Sequence, residues 1–281
     1  MHLALAGALM ALGAIATRNA WADMFYISWN DEECGHALLA IPAFIWLAWI
    51  RRGRLRRCHP TGQWIGLVMI AIGWAAWSWG FRQQLQTLWH GGALLVVMGA
   101  FFSVAGAQVL KEFLAAFVIL GFLVPVPSLA REKIALPMQR HTAYWTQLAC
   151  ETLGMDVTRD NSLLTTYGGV QVAIAEACNG MRMVFALIMV CYLFAFVSPL
   201  RAYVRFLLLA LSPVVAAVCN IIRLVPTVFV YGHFSREFAE AFHDVTGWVM
   251  LVAAFLTMVG FLKLMRWAML PVTHFRLVDV A

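Results

Sequence analysis

Eight long apolar stretches are the feature that most constrains this chain. A helix needs about 20 mostly apolar residues to cross the hydrocarbon core of a bilayer, and stretches close to that length recur along the whole sequence. Hydrophobic residues make up 63% of the chain and charged residues only 12%. This composition indicates that most of the chain is surrounded by lipid. The pattern predicts an all-α polytopic membrane protein with about eight transmembrane helices, near residues 2–17, 34–50, 62–80, 88–107, 110–126, 178–199, 206–230 and 245–265.

The first apolar stretch also has a signal-peptide interpretation. Residues 20–22, Ala-Trp-Ala, match the small-residue pattern of a cleavage site. A secretory signal begins with a basic region, whereas no Lys or Arg precedes residue 18. We therefore expect residues 2–17 to remain as a membrane helix. The first two stretches are short for full spans, which favours tilted or partly interfacial helices.

A cluster of arginines indicates the orientation of the chain. Residues 51–57 contain five arginines, and short cytoplasmic loops carry an excess of basic residues. The chain is thus predicted to be a multi-pass protein of the cell membrane. Alternation across eight spans then places both of its termini in the cytoplasm. The net charge of +6 is therefore explained by basic loops, and nucleic acid is not an expected partner. Membrane lipid is.

The longest segment between apolar stretches, residues 127–177, is predicted to lie on the extracytoplasmic side. Residues 131–153 have the pattern of an amphipathic helix lying in the headgroup plane. Two β-prone runs, 162–167 and 170–174, flank Gly168-Gly169, which predicts a β-hairpin. No repeat or linker divides the chain, so residues 1–281 are predicted to form a single domain.

A polar motif lies where this segment meets the sixth apolar stretch. Residues 175–182 read Ala-Glu-Ala-Cys-Asn-Gly-Met-Arg. A cysteine in the first turn of a helix is favoured as thiolate by the helix N-terminus, and Arg182 follows Cys178 by four residues on the same helical face. Asn179-Gly180 is a turn dipeptide that can join strand to helix. Cys178 is the candidate nucleophile.

Two more polar motifs interrupt apolar sequence downstream. The seventh stretch contains Asn220-Ile221-Ile222-Arg223, and the eighth begins with His243-Asp244-Val245-Thr246-Gly247-Trp248. An arginine inside an apolar stretch is costly and needs a partner, and histidine titrates near neutral pH. The predicted topology places Cys178, Arg223 and His243 on one membrane face. A cysteine, an arginine and a histidine together are the parts of a thiol acyl-transfer site.

The remaining cysteines and histidines have structural interpretations. No His, Cys, Asp and Glu spacing fits a metal site, so no metal or cofactor is predicted. We expect the other cysteines to pack as small hydrophobes and the other histidines to be interfacial. These residues are Cys34, Cys58, Cys150, Cys191, Cys219, His59, His90, His141 and His233.

In these three motifs, and in their order and spacing, the chain resembles the exosortase/archaeosortase family of membrane cysteine proteases and transpeptidases. The resemblance covers residues 125–261 well. It implies cleavage of exported substrate proteins that carry a C-terminal sorting signal of short motif, hydrophobic helix and basic tail. Asn179 stands where many members have serine, which bears on substrate choice more than on chemistry. The acceptor that resolves the acyl-enzyme is then water or a lipid amine.

The resemblance also implies roles for single residues. Cys178 would attack the scissile carbonyl, His243 would transfer protons, and Arg223 would bind the oxyanion. Asn220 is expected to position Arg223 by a hydrogen bond. Arg182 either supports the thiolate or pairs with Glu176 or a lipid phosphate.

Two other classes of protein compete with this interpretation. A transporter or channel would use Arg223 and His243 to line a substrate path and needs no cysteine. Such proteins often carry inverted repeats, which the sequence does not show. An inert assembly subunit would tolerate substitution of all three candidate residues.

Overall fold

A computed structural model describes residues 2–31, 34–58, 64–126, 128–166, 169–173, 180–268 and 270–273. The chain divides into two compact units, Met1–Ser128 and Leu129–Ala281, which are described separately. The single domain inferred from the sequence stays a prediction.

The first unit is built from helices. They are α1 (His2–Ala16), α2 (Arg18–Asn30), α3 (Ala40–Ile50), α4 (Trp64–Arg82), α5 (Gln86–Ala105) and α6 (Ala107–Ile119), with 3₁₀ turns at Gly35–Leu39, Arg52–Arg57 and Leu120–Leu123. Gly106 separates α5 from α6 with a φ of +82°, a backbone conformation that glycine adopts without steric cost.

Helices α4 and α5 form a closely packed pair because glycines face each other along their contact. Gly66, Gly73 and Gly80 recur every seven residues on α4, and all three are buried. A Cβ atom on Gly73 would lie 2.8 Å from the backbone nitrogen of Val96, and one on Gly99 would lie 2.8 Å from the carbonyl oxygen of Gly66. The absence of side chains at these positions allows the two backbones to approach, as in many membrane helix pairs.

A polar pair joins α2 to α5. His90 is fully buried, and its Nε2 lies 2.9 Å from Oδ2 of Asp23. The ring of Trp89 stacks on the imidazole at a centroid distance of 4.8 Å. The interfacial location expected for His90 stays a prediction, and the side chain has a partner on a neighbouring helix that sequence spacing alone does not reveal.

The second unit begins with α7 (Ser128–Thr152), which contains Pro137, and continues with three short strands. The strands β1 (Val157–Asp160), β2 (Leu163–Thr166) and β3 (Gln171–Ala173) form an antiparallel sheet in the order β1-β2-β3. The predicted amphipathic helix overlaps α7, and the predicted β-prone runs overlap β2 and β3, whereas β1 has no counterpart in the sequence-based prediction. Residues 167 and 168 of the predicted turn lie outside the described residues.

Three long helices complete the unit: α8 (Met181–Val197), α9 (Ala202–His233) and α10 (Arg236–Trp267). Their core contains Leu187 and Cys191 from α8, Leu208 and Cys219 from α9, and Met258 from α10. Cys191 and Cys219 thus pack as hydrophobes, as expected from the sequence. Helix α9 also continues through Pro213, whose missing N–H leaves the carbonyl of Leu209 without its usual helical donor. The Ser212 hydroxyl donates to that carbonyl at 2.9 Å.

The sheet and α7 pack on the C-terminal half of α9. Cys150 of α7, Val157 of β1 and Leu164 of β2 form a buried cluster with Leu224 and Val228 of α9. Leu224 and Val228 are four residues apart and therefore on the same helical face. This cluster fixes the sheet beside the end of α9 that carries Arg223.

Among the described residues, four helices are long and apolar enough to cross a membrane, namely α4, α5, α9 and α10. The number rises to five if α2 and the Gly35–Ile50 segment together form one bent span. Residues 34–50 contain a helix of only 11 residues, roughly 16 Å long. Pro42 lies in the first turn of this helix, where proline is well tolerated, and the 3₁₀ turn Gly35–Leu39 directly precedes it. Residues 110–126 likewise give a short helix that ends before Pro125. The fold is that of a polytopic membrane protein, and the count of eight spans stays a prediction.

Candidate active site

Four of the seven candidate residues are described, and all four belong to the second unit. Arg182 is the second residue of α8, Asn220 and Arg223 lie in the C-terminal half of α9, and His243 lies near the start of α10. Since α8, α9 and α10 follow one another through short connections and share a core, these positions fall at the same end of the three helices. Cys178, Asn179 and Glu176 lie outside the described residues.

Arg223 is a buried cation held by a neutral side chain. It is 9% exposed, and Asn220 is 1% exposed. Nη2 of Arg223 donates to Oδ1 of Asn220 at 2.9 Å. The two residues are three apart, so one turn of helix brings them together. A bond to an amide oxygen orients the guanidinium.

The backbone of α9 directs Arg223 toward the inside of the unit. Ile222 is 56% exposed whereas Arg223 is buried, which shows that the helix turns the arginine away from the surface. Pro226 cannot donate to the carbonyl of Ile222. The buried hydroxyl of Thr227 donates to the carbonyl of Arg223 at 2.8 Å, which reinforces the helix at the arginine itself.

Helix α10 contacts Arg223 at Gly247. A Cβ atom built on Gly247 would lie 2.9 Å from Nη1 of Arg223 and 4.0 Å from Nη2 of Arg182. Two atoms at these distances from one point lie within about 7 Å of each other. The guanidinium groups of α8 and α9 therefore meet beside bare backbone of α10. Together, these two positive charges attract an anion more strongly than either would alone.

His243 lies one turn before that glycine. It is 9% exposed, and residues four apart share a helical face, so His243 and Gly247 point to the same side of α10. The hydroxyl of Thr246 donates to the carbonyls of Phe242 and His243 at 2.7 and 3.0 Å, which satisfies backbone oxygens beside the histidine. Trp248, at 65% exposure, marks the opposite, outward face. The imidazole is thus on the side of α10 that carries the Arg223 contact.

The entry to α8 contacts the same cluster. Gly180 caps the helix in the left-handed region with a φ of +52°, which glycine tolerates best. A Cβ atom there would lie 3.2 Å from Nδ2 of Asn220 and 3.7 Å from Cε of Met138. Asn220 therefore lies between the chain that enters α8 and the guanidinium of Arg223.

The cysteines that the structure describes lie elsewhere. Cys150 is fully buried, and burial, with a smaller contribution from Glu151, raises the pKa of its thiol to about 11. Burial and then the charge of Glu112 raise the pKa of Cys58. A raised pKa reduces the thiolate fraction on which nucleophilic attack depends. Within the described ranges, no group of three or more His, Cys, Asp or Glu side chains could hold a metal ion.

Sequence reasoning missed one residue of this cluster, Gly247. Its signal is a glycine one turn after a histidine, just before the apolar part of α10. That signal does not show which side chain of another helix comes to lie against it.

Comparison with known families identifies the family to which this chain belongs. The sequence model of the transmembrane exosortase family matches residues 28–260. The chain belongs to the transmembrane exosortase family. The match contains every candidate residue, and it confirms the family expected from the three motifs. Neither the curated proteins nor the solved structures gave a significant match to this exosortase.

Membership of the family establishes the general character of the protein. Exosortases are membrane proteins of the cysteine peptidase and transpeptidase type, and they act on exported proteins that carry sorting signals. The apolar helices α4, α5, α9 and α10 agree with a location in a membrane.

Proposed function

We propose that this exosortase cleaves C-terminal sorting signals through an acyl-enzyme on Cys178, with Arg223 and His243 as its partners. The signal would consist of a short motif, a hydrophobic helix and a basic tail. The observation that carries the proposal is the meeting of buried Arg223, its partner Asn220, and Arg182 beside Gly247, one turn from His243. Such a cluster supplies a preorganised donor for developing negative charge next to a histidine, a residue type suited to proton transfer.

The short separation between Cys178 and Gly180 in the sequence supports a position of Cys178 at this cluster. Cys178 precedes Gly180 by two residues, and two peptide units span at most about 7 Å. Gly180 itself lies against Asn220. A thiol on so short a tether is within reach of the region where the guanidinium of Arg223 lies.

The proposed reaction proceeds in two halves. The Cys178 thiolate forms a C–S bond with the scissile carbonyl carbon, and the oxygen takes up negative charge while the guanidinium of Arg223 donates hydrogen bonds to it. His243 then gives a proton to the leaving amine as the C–N bond breaks, which releases the hydrophobic helix and basic tail. In the second half, His243 removes a proton from water or from a lipid amine, whose attack breaks the C–S bond and returns the thiolate.

The other candidate residues would support this chemistry. Asn220 holds Arg223 by the 2.9 Å hydrogen bond. Arg182, four residues after Cys178, would lower the pKa of the thiol by its positive charge. Glu176 and Asn179 flank the nucleophile, and Asn179 would influence substrate choice.

Replacement of Cys178 tests the nucleophile. Cys178→Ala should abolish processing of a co-expressed substrate with a C-terminal hydrophobic helix and basic tail, as measured by intact mass. Alanine at Cys34, Cys58, Cys150, Cys191 or Cys219 should leave processing mostly intact. Processing by Cys178→Ala at normal protein levels would refute the acyl-enzyme on Cys178.

Labelling of intact cells tests the proposed topology, with both termini in the cytoplasm and the active site on the extracytoplasmic face. Ser235 and Gly53 are both exposed. In a Cys178→Ala background, an impermeant maleimide should label a cysteine placed at Ser235, between α9 and α10, and should not label one placed at Gly53 in the arginine cluster. The reverse pattern would separate the site from an exported substrate.

A further inference from the structure

The contact between Gly247 and Arg223 is closer than any side chain would allow. A Cβ atom at Gly247 would lie 2.9 Å from Nη1 of Arg223, well inside the usual 3.5–4.0 Å optimum for nonbonded heavy atoms. The missing side chain is therefore what allows the guanidinium to rest against α10. The atom in the way is the tip of a flexible side chain, so a methyl group would displace the guanidinium and leave the helices in place.

The position of Gly247 on α10 links two of the proposed catalytic groups. His243 is on the same face, one turn earlier, and the 2.9 Å bond to Asn220 fixes the guanidinium from the α9 side. Contact with the backbone of α10 fixes it from the other side. The distance from Arg223 to His243 thus depends on how closely the guanidinium approaches residue 247.

We infer that Gly247 is a positioning residue, which sets the place of the Arg223 guanidinium relative to His243 through the absence of a side chain. This inference rests on the proposed function, because it assigns Gly247 a share in the oxyanion site. It extends that function by predicting that one added methyl group slows turnover without weakening substrate binding.

Kinetics of Gly247→Ala, with Gly260→Ala as matched control, test the inference. Both glycines lie in α10, and a Cβ atom on Gly260 meets nothing within 4 Å. Gly247→Ala should lower kcat about ten- to a hundredfold, as expected for a catalytic group displaced by about 1 Å, with KM near the wild-type value. Gly260→Ala should leave both parameters unchanged. Wild-type kcat in Gly247→Ala would overturn the inference.

Thermal stability in two backgrounds shows whether the effect runs through Arg223. Alanine is the better helix former, so Gly260→Ala should raise the melting temperature. Gly247→Ala should give a smaller rise or a fall, because the methyl group meets Arg223. In an Arg223→Ala background that obstacle is gone, and Gly247→Ala should then raise the melting temperature as Gly260→Ala does. Equal shifts in both backgrounds would show that Gly247 does not act through Arg223.

Failure of the inference is distinguishable from failure of the proposed function. If Arg223→Ala retains normal turnover, the proposed oxyanion role is wrong whatever Gly247→Ala does. If Arg223→Ala is inactive while Gly247→Ala is fully active, the proposed function stands and the positioning role of Gly247 is wrong.

Discussion

Each unit of this exosortase buries polar side chains among apolar helices, and the two sets differ in charge. In the first unit, Asp23 and His90 bring a carboxylate and an imidazole within 2.9 Å. In the second, two guanidinium groups meet beside Gly247, next to buried Asn220 and His243. The first set pairs complementary groups, whereas the second gathers groups of the same charge.

This difference separates a structural role from a functional one. A buried ionisable group costs free energy unless it is paired, and the Asp23–His90 pair meets that need by joining α2 to α5. Bringing Arg182 toward Arg223 places two positive charges close together. A concentration of positive charge is useful where negative charge develops during a reaction, which is the chemistry proposed for the second unit.

The largest effect is expected from Arg223→Lys. The charge remains, but a compact ammonium cannot reproduce a planar guanidinium that binds Asn220 and an oxyanion at once. Loss of an oxyanion donor typically costs about 10²- to 10³-fold in kcat, and we expect a loss of that order with little change in thermal stability. Single-turnover cleavage of a sorting-signal substrate measures it.

A surface arginine on α10 supplies the control for this change. Arg236 pairs with Glu240 at 2.9 Å, and its side chain is 87% exposed; exposed pairs of this kind contribute little. Arg236→Lys should therefore keep wild-type turnover. Near-normal turnover of Arg223→Lys as well would make Arg223 a structural cation and remove the contrast between the two units.

The second prediction concerns the Asp23–His90 pair. Asp23→Ala leaves a fully buried imidazole without its partner on α2, which should lower the free energy of unfolding by about 1–3 kcal/mol. Turnover per folded molecule should not change. Chemical denaturation in detergent measures the first quantity, and substrate cleavage corrected for folded protein measures the second.

A double replacement sharpens this test. Replacing both partners by apolar groups of similar shape can be nearly neutral, so Asp23→Leu with His90→Phe should recover most of the lost stability. A loss of turnover at unchanged stability in Asp23→Ala would instead give the first unit a part in catalysis.

The sequence predicts the local features of this molecule better than the distant ones. Asn220 and Arg223 are one turn apart, so their spacing is enough to predict their hydrogen bond. The Asp23–His90 pair and the Gly247–Arg223 contact depend on packing between different helices. No local sequence pattern predicts such packing. Apolar length alone also does not show that the stretches 34–50 and 110–126 combine an α-helix with a 3₁₀ turn, which is Gly35–Leu39 before α3 and Leu120–Leu123 after α6.

The smallest expected effect concerns Cys150, which contrasts with the proposed nucleophile Cys178. Burial raises the pKa of Cys150 from 9.0 to about 11, and Glu151 adds to the shift. The folded protein therefore favours the thiol, and the resulting stability is fully present below pH 9 and is lost as the pH rises through about 11. At pH 10, between the two pKa values, this loss should be about 1 kcal/mol.

Denaturation of the wild type and of Cys150→Ala between pH 8 and 11 measures that loss, which should disappear in the variant. Alkylation provides a second measure, because the thiolate is the reactive form. Cys150 should react slowly at pH 8, whereas a nucleophilic Cys178 beside Arg182 should react quickly. Rapid alkylation of Cys150 and slow alkylation of Cys178 at that pH would contradict the assignment of the nucleophile, since the thiolate would then be favoured in the apolar cluster of α7 and not at the entry to α8.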